Sequence, residues 1–289
     1  MLDAESKLGG AKVILCTLSM MSNPKLSVFT QAVPVETVIV DEASQIETGN
    51  YVPLLHLFKT TVAKVVFIGD DKQLPPYGQE NICGLQSVFE ISRLRSKAKL
   101  LAVQYRMPRV VGSFISRHVY DGKLETVHAI TSASACRFVD VQKGREKQEG
   151  HSWINAEECH VAVRIAQRYN DEGKDFRIIT PYDAQRNLIE GALRRESIPW
   201  ADKVFNVDAF QGNESDHIII SLVRTEKLGF LRDLRRSNVM LSRCKESMTI
   251  CSSRTFLEGK GSTSLAGKLA KECGNRAWRS VQDVWNGRL

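Results

Sequence analysis

Val38-Ile39-Val40-Asp41-Glu42-Ala43-Ser44 is the stretch that decides the fold. Three β-branched residues in succession mark a strand covered on both faces, because a half-exposed strand would alternate apolar with polar. The two carboxylates that follow stand at its carboxyl end, where open α/β sheets bind their ligands. Taken alone, an Asp-Glu pair there could equally cap a following helix. A second stretch repeats the pattern: Val65-Val66-Phe67-Ile68 opens into Gly69-Asp70-Asp71-Lys72-Gln73-Leu74-Pro75-Pro76. A plain surface loop explains the prolines but not the recurrence of strand followed by acid.

Outward from these two stretches the same rhythm continues. Lys12 to Thr17 and Lys99 to Gln104 also read as buried strands, and helix-length segments lie at Gly49 to Phe58 and Leu85 to Arg95. Alternation of strand and helix implies a parallel sheet with helices on its faces. Beyond residue 102 come an amphipathic helix at Arg109 to Tyr120 and helices at Asn155 to Tyr169 and Ala184 to Glu196. Strands are expected at Arg137 to Val141, Phe176 to Thr180, Lys203 to Asn206, His217 to Leu222 and Ser247 to Cys251. Gln142 to His151, charged and glycine-bearing, reads as an exposed loop. The tail from Ser264 to Leu289 reads as one or two amphipathic helices. The expectation is two α/β domains, residues 1–102 and 103–289.

Composition narrows the function classes. With 43% hydrophobic and 25% charged residues among 289, neither disorder nor a fibre is encoded. No apolar run approaches the roughly 18 residues of a membrane helix, and Met1 to Lys7 lacks the apolar core of a signal peptide, so no membrane partner and an intracellular location, cytoplasmic or nuclear, are expected. Seven cysteines form no Cys-x-x-Cys pair, which argues against a disulfide framework or a zinc ribbon. His151, Cys159 and His160 follow no metal-ligand spacing. The first 102 residues carry ten basic and ten acidic side chains, so the whole surplus of +7 lies beyond them. A basic second half suggests a polyanionic partner.

The strand-end residues have a specific chemistry open to them. In the Walker B arrangement Asp41 holds Mg²⁺ through its water shell and Glu42 takes the proton of a water attacking a γ-phosphate. A glutamine about 30 residues on, here Gln73, can hydrogen-bond that phosphate or the water. Pro75 and Pro76 stiffen the chain leaving the site.

Asp41-Glu42-Ala43-Ser44-Gln45, Gly69-Asp70-Asp71-Lys72-Gln73-Leu74-Pro75-Pro76 and Gln104-Tyr105-Arg106-Met107-Pro108 resemble, in this order, motifs II, III and IV of superfamily 1 helicases. The nearest branch is that of the nonsense-mediated-decay helicase and senataxin. Ile178-Ile179-Thr180-Pro181-Tyr182, Val207-Asp208-Ala209-Phe210-Gln211-Gly212-Asn213-Glu214 and Asn238-Val239-Met240-Leu241-Ser242-Arg243 resemble the family's Ile-x-Thr-Pro-Tyr segment, motif V and motif VI. The resemblance implies two RecA-like P-loop NTPase domains with parallel sheets, ATP and Mg²⁺ as cofactors, and single-stranded nucleic acid, RNA or DNA, as partner. It implies that Tyr105 stacks on adenine, that Arg106 contacts the γ-phosphate, and that Glu214 beside Gln211 and Gly212 contacts the ribose. Arg243 becomes the arginine finger. Thr17, Pro75, Pro76, Thr180 and Asn206 become the nucleic-acid contacts.

One element of that family is missing from the 289 residues. No Gly-x-x-x-x-Gly-Lys-[Ser/Thr] occurs: the Gly-Lys pairs begin at 122, 173, 259 and 267, and none is followed by serine or threonine. Its backbone amides would cradle the phosphates and its lysine would reach them. The expectation is a first domain truncated at its N-terminus, inactive in ATP hydrolysis as an isolated chain. Two alternatives are a non-hydrolysing nucleic-acid-binding or regulatory module, and one part of a split helicase whose P-loop segment another polypeptide supplies.

Overall fold

The computed structural model describes residues 12–24, 30 and 34–289. The reading of Met1 to Lys7 therefore lies outside the described residues. The chain divides into two compact units, Met1–Lys99 and Leu100–Leu289.

In the first unit β1 (Thr37–Val40) pairs in parallel with β2 (Lys64–Phe67), with Val40 opposite Phe67. Between them runs α1 (Val52–Leu57), which begins with a proline in its first turn, where no amide hydrogen is needed. After β2 comes the short α2 (Ser92–Arg95). Val40, Ala43, Tyr51 and Val88 form a small core, and the Tyr51 and Phe67 rings meet edge to face at 5.2 Å. Residues Lys12 to Thr17, expected as a strand, carry no ladder in the structure. β-Branching gives a strand propensity, but a strand forms only where a neighbour supplies hydrogen bonds.

The second unit opens with β3 (Val103–Gln104), α3 (Arg109–Val119) and β4 (Glu125–Thr126), where β3 pairs with β4. The strand expected at Lys99 to Gln104 is thus reduced to two residues in a ladder of this unit. The main sheet then follows: β5 (Cys136–Asp140), a hairpin of β6 (Lys147–Glu149) and β7 (Ser152–Ile154), α4 (Ala156–Asp171), β8 (Phe176–Thr180) and α5 (Asp183–Arg195). Next are β9 (Val204–Asn206), β10 (Ser215–Ser221), α6 (Leu234–Leu241), β11 (Cys244–Ser252), α7 (Arg254–Glu258), α8 (Leu265–Cys273), β12 (Trp278–Ser280) and α9 (Val281–Trp285).

Six strands form one all-parallel sheet in the order β12-β5-β11-β10-β8-β9. Ile218, Ile219 and Ile220 of β10 are all buried, as a central strand covered on both faces requires. One covering helix, α4, starts at Asn155, whose side-chain oxygen accepts the Glu158 amide at 3.2 Å, and carries Glu157 and Glu158 in its first turn. Its stripe of Cys159, Ala162, Ile165, Ala166 and Tyr169 joins Ile178, Ile189, Leu193 and Ile219 in the main core.

Two expectations are corrected here. The segment Gln142 to His151 is not only loop: Lys147 to Glu149 pair antiparallel with Ser152 to Ile154. The tail supplies helices and also a strand, because Trp278 lies opposite Phe138 at the sheet edge with the rings 5.0 Å apart. Three residues are too few for periodicity to register.

Candidate functional site

In the first unit the exits of β1 and β2 are stitched together. The Ala43 amide donates to the Ile68 carbonyl at 2.8 Å, and the Ile68 amide donates to Val40 at 2.8 Å. A Cβ on Gly69 would fall 2.8 Å from the Phe89 ring and 2.9 Å from the Ser44 nitrogen, so only glycine permits this approach. Asp41 is exposed and its Oδ1 accepts the Glu42 amide at 2.9 Å. Glu42 holds a left-handed backbone, φ 51°, an uncommon state for a residue with a side chain. Asp70 accepts the Lys72 amide at 2.9 Å and the Gln73 side-chain amide at 2.8 Å, which orients Gln73. Asp41, Glu42 and Gln73 therefore belong to adjacent strand exits. Pro76 is buried and Pro75 half-buried behind them, with Tyr77 96% exposed just beyond. Thr17, outside any ladder, accepts the Met20 amide on its Oγ1 at 3.2 Å.

In the second unit the predicted residues gather at opposite ends of the main sheet. At the amino ends of β10 and β11, the turn at 104–107 is held by the Gln104 side chain, which accepts the Met107 amide at 2.8 Å and donates to the Met107 carbonyl at 3.1 Å. That turn leaves Tyr105 68% exposed and sends Arg106 to Glu214, Nε to Oε2 at 2.5 Å. Gln211 and Gly212, the latter at φ 79°, complete the loop into β10. The Ser215 amide donates to the Arg243 carbonyl at 3.2 Å, tying this loop to the start of β11. Arg243 itself is only 2% exposed, and its Nε donates to the Val239 carbonyl at 2.8 Å. Tyr105, Arg106, Gln211, Gly212, Glu214 and Arg243 are thus brought to one edge.

Thr180 and Asn206 stand at the other edge, opposite each other at the carboxyl ends of β8 and β9. The Thr180 hydroxyl is enclosed without a hydrogen-bond partner among the described residues. Asn206 donates to Asp183 at 2.9 Å and accepts the Ala209 amide at 2.8 Å. The strand order reverses between β8 and β10, and ligands of such sheets bind at that crevice. Here a buried polar network fills it. Gln185 donates to Ser221 at 3.0 Å, Ser221 donates to Glu158 at 2.7 Å, and the Val223 amide donates to Glu158 at 2.8 Å. Burial pushes the Glu158 carboxyl up to about 8, against the opposing pull of these donors.

Beside the crevice lie residues that sequence reasoning missed. Arg224 and Glu146 form a two-pronged ion pair at 3.0 and 2.9 Å, with side chains 6% and 8% exposed. Burial opposes ionisation of Glu146, but the Arg224 fork and the Thr225 and Glu226 amides outweigh it and hold the carboxyl below its ordinary value. The Arg224 guanidinium lies 4.1 Å from the Trp153 ring centre and also donates to the Tyr182 hydroxyl at 3.3 Å. Val223, just before it, is buried at φ 70°. For a β-branched residue this is a strained conformation that the surrounding bonds must enforce. The available signal was Arg224 directly after an apolar strand. Its partner was hidden in a segment read as loop.

An Asp-Glu strand exit beside an Asp-Gln loop in the first unit, and in the second an all-parallel sheet with arginines at its edge, are the marks of a helicase-type α/β fold. Two family models, each described as AAA domain, match residues 3–79 and 85–255. The human probable helicase senataxin is 34% identical over 86% of this chain, and a regulator of nonsense transcripts 1 homolog from Neurospora crassa is 33% identical over 84%. The chain belongs to the superfamily 1 helicases, in their nonsense-mediated-decay and senataxin branch. It spans 11% and 24% of the length of these two relatives. Among solved structures, an arterivirus nonstructural protein 10 helicase in complex with DNA matches 78% of this chain and 42% of its own, at 17% identity and a TM-score of 0.44.

Proposed function

We propose that this chain is the part of an ATP-dependent nucleic-acid helicase that positions the hydrolytic carboxylates and supplies the arginines, acting inside the cell on single-stranded RNA or DNA. One observation supports the reading: in the second unit Arg106 and Glu214 stand at one end of the parallel sheet, and Thr180 and Asn206 at the other. A motor needs that arrangement, because a shift at one end of rigid strands is felt at the other. Asp41 and Glu42 fit Mg²⁺ and ATP chemically. Magnesium is held by one or two carboxylates plus phosphate oxygens, and no cluster of three metal-binding side chains exists among the described residues. When bound, the Mg-nucleotide supplies the phosphoryl group to be cleaved. Glu42 would accept the proton of the attacking water, and Gln73, held by Asp70, would orient it. In the second unit Arg106 and Arg243 are the side chains that would meet phosphate charge. Tyr105 stacks on the base and Glu214, Gln211 and Gly212 hold the sugar side. Thr17, Pro75, Pro76, Thr180 and Asn206 hold the nucleic-acid backbone without reading sequence.

A second reading is a binding module without turnover, or one half of a split enzyme whose P-loop segment another polypeptide supplies. Steady-state ATP hydrolysis with single-stranded RNA separates them. The 289-residue chain is expected to show no substantial turnover, and addition of a polypeptide carrying the P-loop strand is expected to give turnover that Glu42→Gln abolishes. Rapid hydrolysis by the chain alone, lost in Glu42→Gln, would overturn the expected inactivity. Failure of every such addition would favour the binding module. Fluorescence anisotropy should show weak, sequence-tolerant binding that falls steeply with salt, whereas salt-independent affinity would argue against a phosphate-dominated surface.

A further inference from the structure

The second unit brings together two thiols from distant parts of its chain. Cys136 opens β5 and is fully buried, while Cys273 is the last residue of α8 and half-buried. Gly274, at φ 67°, ends that helix, and the chain turns into β12, whose Trp278 lies opposite Phe138. This return sets the end of α8 beside the start of β5. The Cys136 S–H donates to the Cys273 sulfur, and that contact is the leading influence on both groups. It holds the Cys273 thiol below its ordinary value against burial and the charge of Glu272, and together with burial it raises the Cys136 thiol.

The two thiols differ in access. Cys273 lines a cavity of about 260 Å³ with Leu269, one helical turn before it, with Arg109 and Arg117 of α3, and with Ala133, whose turn of 3-10 helix leads into Cys136. Glu272 also lines it and pairs with Arg117 and His118, so much of the positive charge there is already answered. A small reagent reaches the pair through Cys273, because Cys136 has no exposed surface. Cys159, Cys244 and Cys251 are each pushed up by burial first, the state of an inert structural thiol. Cys273 combines partial exposure with a second thiol at its sulfur, which is the arrangement of a redox-sensitive cysteine beside its resolving partner.

We propose that Cys273 and Cys136 form a peroxide-sensitive dithiol, in which Cys273 is the thiol that hydrogen peroxide oxidises and Cys136 resolves it into a disulfide. The Cys273 thiolate attacks one peroxide oxygen, the O–O bond breaks, and the hydroxide released takes up a proton and leaves as water. The Cys136 sulfur then displaces hydroxide from the Cys273 sulfenic acid, and its own proton departs with that hydroxide as a second water. Two thiols and one peroxide thus give one disulfide and two waters, the sulfurs being oxidised and the peroxide reduced. Burial keeps Cys136 protonated until the S–S bond forms, which makes the second step the slower one. The bond clips the end of α8 to the start of β5, and an external thiol reverses it by exchange. This site does not depend on the helicase reading.

The test uses the 289-residue protein carrying Cys16→Ser and Cys83→Ser, which removes the two fully exposed thiols. It is treated with hydrogen peroxide, its remaining thiols are blocked with iodoacetamide in denaturant, and its peptides are mapped without reductant. The expected product is a linked peptide joining Cys136 and Cys273, two hydrogens lighter than the sum of its parts and split by dithiothreitol. With Cys136→Ser added, the Cys273 sulfenic acid has no resolving thiol, so dimedone should label it persistently where the parent is labelled only in passing. Should that variant melt abnormally, the parent's peptide map decides alone. Recovery of Cys136 and Cys273 both blocked by iodoacetamide, or oxidation of Cys273 in the parent that stops at sulfenic or sulfinic acid or joins it to another cysteine, would overturn the proposal.

Discussion

Ile39 and Ile219 are the same residue type in the middle of parallel strands, yet Ile39 is 64% exposed and Ile219 is fully buried. The contrast holds for the two units as wholes. Among its described residues the first has a two-stranded ladder, four buried residues at its sheet core, and exposed Val13, Leu15, Ile39, Leu55 and Ile68. In the second, a six-stranded sheet carries helices on its faces and its central strand is apolar throughout. The difference teaches that Asp41 and Glu42 sit on a scaffold that local hydrogen bonds shape more than burial does. Asp41, Glu42 and Gln73 owe their placement to the stitched strand exits and to Gly69. The arginines of the second unit owe theirs to a closed core.

The largest effect that could break this comparison is in hydrogen exchange. Amides of Ile218 to Ile220 should exchange only on global opening, and those of β1 and β2 faster by about three orders of magnitude or more. Equal protection would mean the first unit is as firmly held as the second. Next is truncation. Ile219→Ala should cost about 2 to 5 kcal/mol in urea unfolding, and Ile39→Ala about 0.5 kcal/mol or less. A large loss at Ile39 would show that its side chain is covered in solution.

Gly69→Ala should destabilise the first unit by about 1 to 3 kcal/mol, since the new Cβ meets backbone at Ser44, and should leave exchange in the second unit unchanged. Glu158 gives a pH test confined to the second unit. Its carboxyl titrates higher in the folded state than in the unfolded chain, so the folded protein keeps a proton that the unfolded chain has lost. The stability this contributes is full below the ordinary carboxyl range and falls as pH rises toward about 8. Glu158→Gln should flatten that part of the urea midpoint profile, and an unchanged slope would assign it elsewhere. The smallest effect is at the exposed Arg106–Glu214 pair. Glu214→Gln should change stability by about 1 kcal/mol or less while strengthening polyanion binding, read by anisotropy, because Arg106 is released.

Much of the site was legible because its signals are local. A β-branched run ended by Asp41-Glu42, and another ended by Gly69 to Gln73, mark both the strand and the acids at its exit. Arg106, Glu214 and Arg243 were legible as members of motifs, but not the pairing of Arg106 with a carboxylate 108 residues away, nor the burial of Arg243. Glu146 was passed over because a charged segment with glycine reads as solvent-facing, and only the fold brings Arg224 to it. Lys12 to Thr17 shows the opposite error. Strand propensity was present, and no partner strand was among the described residues.

By itself the sequence determined the element types, the parallel α/β class, the family and the residues at the strand exits, because periodicity and motif spacing are properties of neighbours along the chain. The tertiary structure alone decided which exits meet, that two sets of residues face opposite ends of one sheet, and which charges are paired or buried, as Arg224 and Glu146 are. Those depend on strand order and on the packing of distant segments, and a parallel sheet fixes both only when its crossovers are complete.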